Sequence, residues 1–133
     1  MPSGVVVSMA SHNSAKYIER ALASIDAALK GRPYVLVMAD DASTDDTVKI
    51  ARNFPMRAEE RIIVGLPKAP SVGEAKNRAV KLARPFLYKY PWLACMDDDD
   101  EMLPGRFRTL LENMEAEGQK AGISDWTLYP EGE

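Results

Sequence analysis

Four aspartates, Asp97, Asp98, Asp99 and Asp100, stand directly behind the apolar run Trp92-Leu93-Ala94-Cys95-Met96. Adjacent carboxylates repel one another, so a cluster at the end of a buried strand calls for a positive partner. Hard divalent cations such as Mg²⁺ or Mn²⁺ take oxygen ligands, are held by one or two protein carboxylates, and fill their shells with water and substrate phosphates. The cluster reads as a metal and phosphate site, with a solvated acidic turn as the alternative. Lys76 and Arg78 lie near the start of a helical stretch, where either side chain can add positive charge beside a phosphate or simply face solvent.

Short apolar runs alternate with amphipathic helical stretches, the pattern of an α/β domain with a parallel sheet. Strands are expected over 5–9, 34–39, 61–64, 92–96 and 123–128. Helices are expected between them. The first places Ile18, Leu22, Ile25 and Leu29 on one face, with Gly31 as its stop. The second opens at Ser43 and Asp46 and ends before Pro55. The third opens on Ser71 and Glu74, runs to Leu82 or Ala83, and is limited by Pro85. The fourth begins at Pro104 and carries Phe107, Leu110, Leu111 and Met114 on one side. In open α/β sheets, ligands bind beyond the carboxyl ends of the strands where strand order reverses. His12 and Asn13 follow the first strand, Asp40 and Asp41 the second, and the aspartate run the fourth, so one edge of the fold should gather them.

The chain has 133 residues, 46% of them hydrophobic and 28% charged, which fits one ordinary globular domain. A net charge of −3 and a pI near 5.3 argue against a nucleic-acid partner. The single Cys95 excludes an internal disulfide. With neither a signal-peptide pattern nor a run long enough to span a bilayer, a cytoplasmic location without a membrane span is expected. Dinucleotide-binding and P-loop motifs are absent.

Four segments in order resemble the inverting family 2 glycosyltransferases with a GT-A fold: Val-Val-Val-Ser-Met-Ala-Ser-His-Asn at 5–13, Asp-Asp-Ala-Ser-Thr-Asp-Asp-Thr at 40–47, Gly-Glu-Ala-Lys-Asn-Arg-Ala at 73–79, and Met-Asp-Asp-Asp-Asp-Glu-Met-Leu-Pro-Gly-Arg at 96–106. The resemblance implies a three-layer αβα sandwich with a mostly parallel sheet. It also implies transfer of a sugar from a nucleotide diphosphate sugar, UDP-linked by preference, to an acceptor hydroxyl. By position, Asp41 accepts a hydrogen bond from the base, with Ser11 and His12 packed against it. Asp97 lies near the ribose and, with Asp99, holds Mn²⁺ or Mg²⁺, while Asp100 stands behind them. Lys76 is assigned to the nucleotide. The family more often has Tyr at position 12 and Gly at position 42, where this chain has His12 and Ala42.

The chemistry asks for these residue types in its own right. Breaking a sugar–phosphate bond leaves negative charge on the diphosphate, which a metal offsets without proton transfer. Asp40 shapes a turn on this reading, and Asp45 and Asp46 favour a helix dipole. Members of the family continue into an acceptor-binding half that carries the catalytic base, whereas the sequence ends at Glu133, and neither Asp125 nor Glu131 is assigned that role. The expected domain is a single GT-A-like nucleotide-sugar-binding unit over 1–133 lacking most of the acceptor half. It is a donor-binding fragment of a longer enzyme, a compact enzyme completed by a homodimer, or a noncatalytic nucleotide-sugar-binding module. A nucleotidyltransferase is a third reading, against which stands the absence of a Gly-rich N-terminal signature. Donor sugar, acceptor and catalytic base are not legible in the sequence.

Overall fold

The computed structural model describes residues 3–116 and 122–125. Five parallel strands, β1 (Val5–Ser11), β2 (Tyr34–Asp41), β3 (Glu60–Leu66), β4 (Trp92–Asp97) and β5 (Gly122–Asp125), form one sheet in the order β3-β2-β1-β4-β5. Helices α1 (Ile18–Ala28), α2 (Thr47–Asn53), α3 (Val72–Ala83) and α4 (Pro104–Ala116) alternate with them. The α/β class and three-layer arrangement expected from the sequence are what is observed. Of the last expected strand, 126–128 lie outside the described residues, as does Glu131.

Strand alternation splits the core into two layers. Val5, Val7 and Met9 join Leu36, Met38, Ala94 and Met96 on one face, packed with Ile18, Leu22 and Ile25 of α1 and Phe107 and Leu111 of α4. Val6, Val35, Val37 and Leu93 face the other way, against Ala83 and Tyr90. Each fully buried Val, Leu or Ile stabilises the fold by ~1.5–3 kcal/mol. A one-residue slip of β1 would exchange its two buried sets, so register is strongly specified.

The strands outrun their expected ends because backbone pairing continues into the polar residues. Ser11 pairs with Asp40, and Asp41 with Leu66. Ser11 and Asp41 therefore sit on strands, held by the ladder. On α4, Phe107 and Leu111 are buried while Leu110 is 37% exposed, since it falls one step off the 107, 111, 114 stripe. The expected cap of α2 is also different. The Ser43 hydroxyl donates to Asp40 Oδ1 at 2.7 Å, and the Thr47 N–H goes to Asp45 Oδ1 at 3.0 Å. Ser71 does cap α3, accepting the Glu74 N–H at 3.1 Å.

Gly31 takes φ +82 just after α1, a conformation that favours glycine. Ala42 takes φ +53 directly after β2, at a position where the resembling family usually has Gly. The left-handed region costs an L-residue about 1–2 kcal/mol, part of which glycine gives back through its freer unfolded chain. Ala42→Gly should therefore raise stability by about 0.5–1 kcal/mol, a Tm gain of ~2–5 °C. Thermal unfolding checks this, and an unchanged or lower Tm would show that Ala42 is not strained.

Candidate functional site

The chain moves outward from β1 through β2 to β3, then returns to place β4 on the opposite side of β1. At that reversal the loops after β1 and β4 leave in different directions and open a crevice at the carboxyl ends. A cleft of about 310 Å³ lies there, lined by Ser11, His12, Asp41, Lys76, Asp97 and Asp99 among others. These are the six residues singled out in the sequence, and the structure brings all of them to one place.

The β1 end forms the floor. The Ser11 hydroxyl donates to Asp40 Oδ1 at 2.7 Å, so the side chain is committed to the turn that Asp40 organises. Asp40 also accepts the Ser43 N–H at 2.9 Å, which confirms its turn-shaping role. His12 joins three strand ends. Its backbone N–H donates to Asp98 Oδ2 at 2.9 Å, and its Nδ1 lies 2.5 Å from the Asp41 carbonyl. A carbonyl only accepts, so Nδ1 carries the proton. The imidazole is exposed at the cleft edge.

Asp41 is the buried anion of the cleft, 7% exposed. Its Oδ1 accepts the Ala69 N–H at 2.6 Å, Lys68 Nζ lies 3.4 Å from Oδ2, and Arg78 Nη1 is 3.9 Å from Oδ1. The Ala69 N–H, aided by the Lys68 ammonium and opposed by burial, holds the carboxyl below the usual carboxylate range. It is ionised at neutral pH.

Lys76 reaches the cleft because α3 lies close on the sheet. Its buried positions are Ala75, Ala79 and Ala83, small residues at every fourth position that admit a near approach to β1 and β2. Lys76 Nζ stands 3.1 Å from Asp97 Oδ1. Arg78, two residues further along α3, donates to the Pro67 carbonyl at 2.5 Å and so braces the loop that presents Lys68 and Ala69.

Beyond β4, carboxylate oxygens of Asp97, Asp99 and Asp100 lie within 4.8 Å of one another. Burial, followed by the charges of Asp97 and Asp99, pushes the Asp100 carboxyl up to about 6. Its Oδ2 is buried without a hydrogen-bond partner among the described residues. An all-oxygen, acidic donor set with an orphaned oxygen suits a hard divalent cation. These residues fit Mg²⁺ or Mn²⁺, with Asp100 a third donor beside the two expected. Asp98 turns away from the trio to His12, and burial raises its carboxyl.

Sequence reasoning missed Lys68 and the loop around it, because a lone Lys in a Pro-containing stretch carries no motif. It also undervalued Asn13 and Asp45. Asn13, at φ +44, accepts the Thr44 N–H at 2.8 Å while its own N–H donates to Ser43 Oγ at 2.8 Å. Asp45 accepts the Ala15 N–H at 3.2 Å. Together they join the loops after β1 and β2 and fix the cleft floor.

Comparison with known proteins gives the family and the fold. The profile of the family described as Glycosyl transferase family 2 matches residues 6–132. The succinoglycan biosynthesis protein ExoO of Rhizobium meliloti (strain 1021) is 30% identical over 118 residues, covering 88% of this chain and 31% of that protein. ExoU of the same organism is 29% identical over 110 residues, 83% of this chain and 30% of that one. The chain spans about a third of the length of these curated relatives. The crystal structure of S. aureus TarS 1–349 in complex with UDP matches with a TM-score of 0.69 at 23% identity, over 87% of this chain and 32% of that one. The complex of the same protein with UDP-GlcNAc gives 0.67 at 24% identity, with the same coverage. At this identity the likeness to TarS is one of fold.

Proposed function

The chain belongs to glycosyl transferase family 2 and has a GT-A fold, and on that premise we propose that it binds the donor in a metal-dependent, inverting transfer of sugar from a nucleotide diphosphate sugar to an acceptor hydroxyl. The observation that carries the reading is the convergence on one cleft of a buried ionised carboxylate, a lysine and an aspartate trio. UDP and UDP-GlcNAc in the TarS complexes support a UDP-linked donor.

In this reading Asp41 accepts the base N–H, having been kept ionised by Ala69 and Lys68. Ser11 shapes the floor below the base and the exposed His12 ring packs beside it. Lys76 and Asp97 flank the ribose and diphosphate. Asp97, Asp99 and Asp100 would hold Mn²⁺ or Mg²⁺, which would supply positive charge against that developing on a departing diphosphate. Inversion by direct displacement also needs a base for the acceptor hydroxyl. Among the described residues, the carboxylates lining the cleft are Asp41, Asp97, Asp98 and Asp99. Three are committed to donor and cation, and Asp98 accepts the His12 N–H. That occupancy favours a second reading, a noncatalytic nucleotide-sugar-binding module or the donor-binding fragment of a longer enzyme.

Mn²⁺ with UDP is expected to stabilise the chain by about 2.7 kcal/mol at a hundred times the dissociation constant, and UDP alone only weakly. Thermal shift measurements check this, and equal shifts with and without metal would count against a metal-bridged site. Sugar transfer or donor hydrolysis by the same preparation selects the enzyme complete in this chain; binding without turnover selects the module or the donor-binding fragment.

A further inference from the structure

Lys76 Nζ and Asp97 Oδ1 are 3.1 Å apart, which puts an ammonium on the carboxylate that the donor-site reading assigns to a divalent cation. The contact is not a buried structural pair, since the two side chains are 52% and 34% exposed. Both residues line the cleft. Asp99 and Asp100 add negative charge within reach of the same point. The arrangement gives the acidic cluster a cation of its own, on a long flexible stem, in the lining of the cleft.

We propose that Lys76 is an exchangeable counter-ion: its ammonium neutralises Asp97 in the metal-free cleft, is displaced by the divalent cation, and then pairs with the diphosphate. The inference rests on the reading of this cleft as a metal and nucleotide site. Its new content is a coupling. A cation arriving alone must break the Lys76–Asp97 pair and leave the ammonium without its carboxylate. A nucleoside diphosphate arriving with the metal supplies that ammonium with a new anion. Each ligand therefore strengthens binding of the other, and linkage requires the two enhancements to be equal. Metal and donor then load together, and the metal-free cleft is kept from holding uncompensated negative charge. A lysine suits this exchange better than an arginine, being a compact point charge on rotatable bonds with no bidentate fork to hold the carboxylate.

The test compares wild type with Lys76→Met by calorimetric titration of the full chain, first with Mn²⁺ alone and then with UDP in saturating Mn²⁺. Lys68→Met serves as the charge control, because Lys68 is a cation of the same cleft paired with Asp41. Lys76→Met should bind Mn²⁺ alone about two- to fivefold more tightly, the scale of one partly exposed ion pair. It should bind UDP with Mn²⁺ more weakly than wild type, by about 10- to 100-fold, the scale of one hydrogen bond to a charged group. Opposite movements are the signature of exchange. A lysine that only binds phosphate would lower the second affinity and leave the first unchanged, which would overturn the inference. So would an equal rise in Mn²⁺ affinity in Lys68→Met, since the effect would then belong to the general field of the cleft. If wild type binds neither Mn²⁺ nor Mn²⁺ with UDP, the underlying site reading fails and takes the inference with it.

Discussion

Replacing Asp99 with asparagine is expected to weaken Mn²⁺-dependent UDP binding on the order of 100-fold while leaving the fold intact. Asp99 is the exposed member of the aspartate trio, so the substitution removes a charged oxygen donor without opening a core or stranding a buried partner. Changes at such positions usually alter stability by less than about 0.5 kcal/mol. An amide oxygen is a neutral donor, and the cluster loses one of the negative charges that attract the metal. Pyrophosphate with Mn²⁺ should weaken in parallel with UDP, because the loss lies on the phosphate side. Calorimetry with both ligands, alongside a melting curve, measures it. Unchanged affinity at unchanged Tm would remove Asp99 from the metal site.

Asp41→Asn is expected to act on the other half of the ligand. Loss of a hydrogen bond to an ionised acceptor costs about 1.5–3 kcal/mol, so UDP should bind ~10- to 100-fold more weakly, with pyrophosphate changed by no more than about twofold. Equal weakening of the two ligands would show that Asp41 does not contact the base. The asparagine oxygen can still accept the Ala69 N–H, which keeps the loop after β3 in place. Stability adds a second readout. Ala69 and Lys68 lower the Asp41 carboxyl in the folded state, so its contribution is present above the unfolded carboxylate value and is lost as pH falls through the lower folded value. The stability gap between wild type and Asp41→Asn should accordingly close on acidification and stay open near neutrality.

The two substitutions divide the cleft along the line that the fold itself draws. Asp41 is held by β2 and by the loop before α3, whereas Asp99 stands beyond β4 on the far side of β1. Their effects should differ in kind because they belong to different arms of the strand reversal, which β1 joins through His12 and α3 through Lys76 and Arg78.

Alternating apolar runs and amphipathic stretches were enough to read the parallel α/β sheet, because burial on both faces of a strand and on one face of a helix is a local property of the chain. The cap at Ser71 was legible for the same reason, its partner lying three residues away. So was the gathering of polar residues at the strand ends, since every strand of a parallel sheet points its carboxyl end the same way. Leu110 and the start of α2 were misread where one residue of helical phase, or one choice of hydroxyl partner, decided the outcome.

What the sequence by itself determined, then, is which elements form and which residues end up at one edge of the sheet. Only the tertiary structure decided how those residues pair. The Lys76–Asp97 ion pair, the Ala69 N–H on Asp41 and the His12 N–H on Asp98 join segments 21, 28 and 86 residues apart. Such contacts depend on strand order, on the two-residue extension of β1 and β2, and on how closely an alanine-lined helix approaches the sheet. None of these leaves a periodic trace in the chain, because each is set by packing between elements whose separation in sequence carries no information about their separation in space.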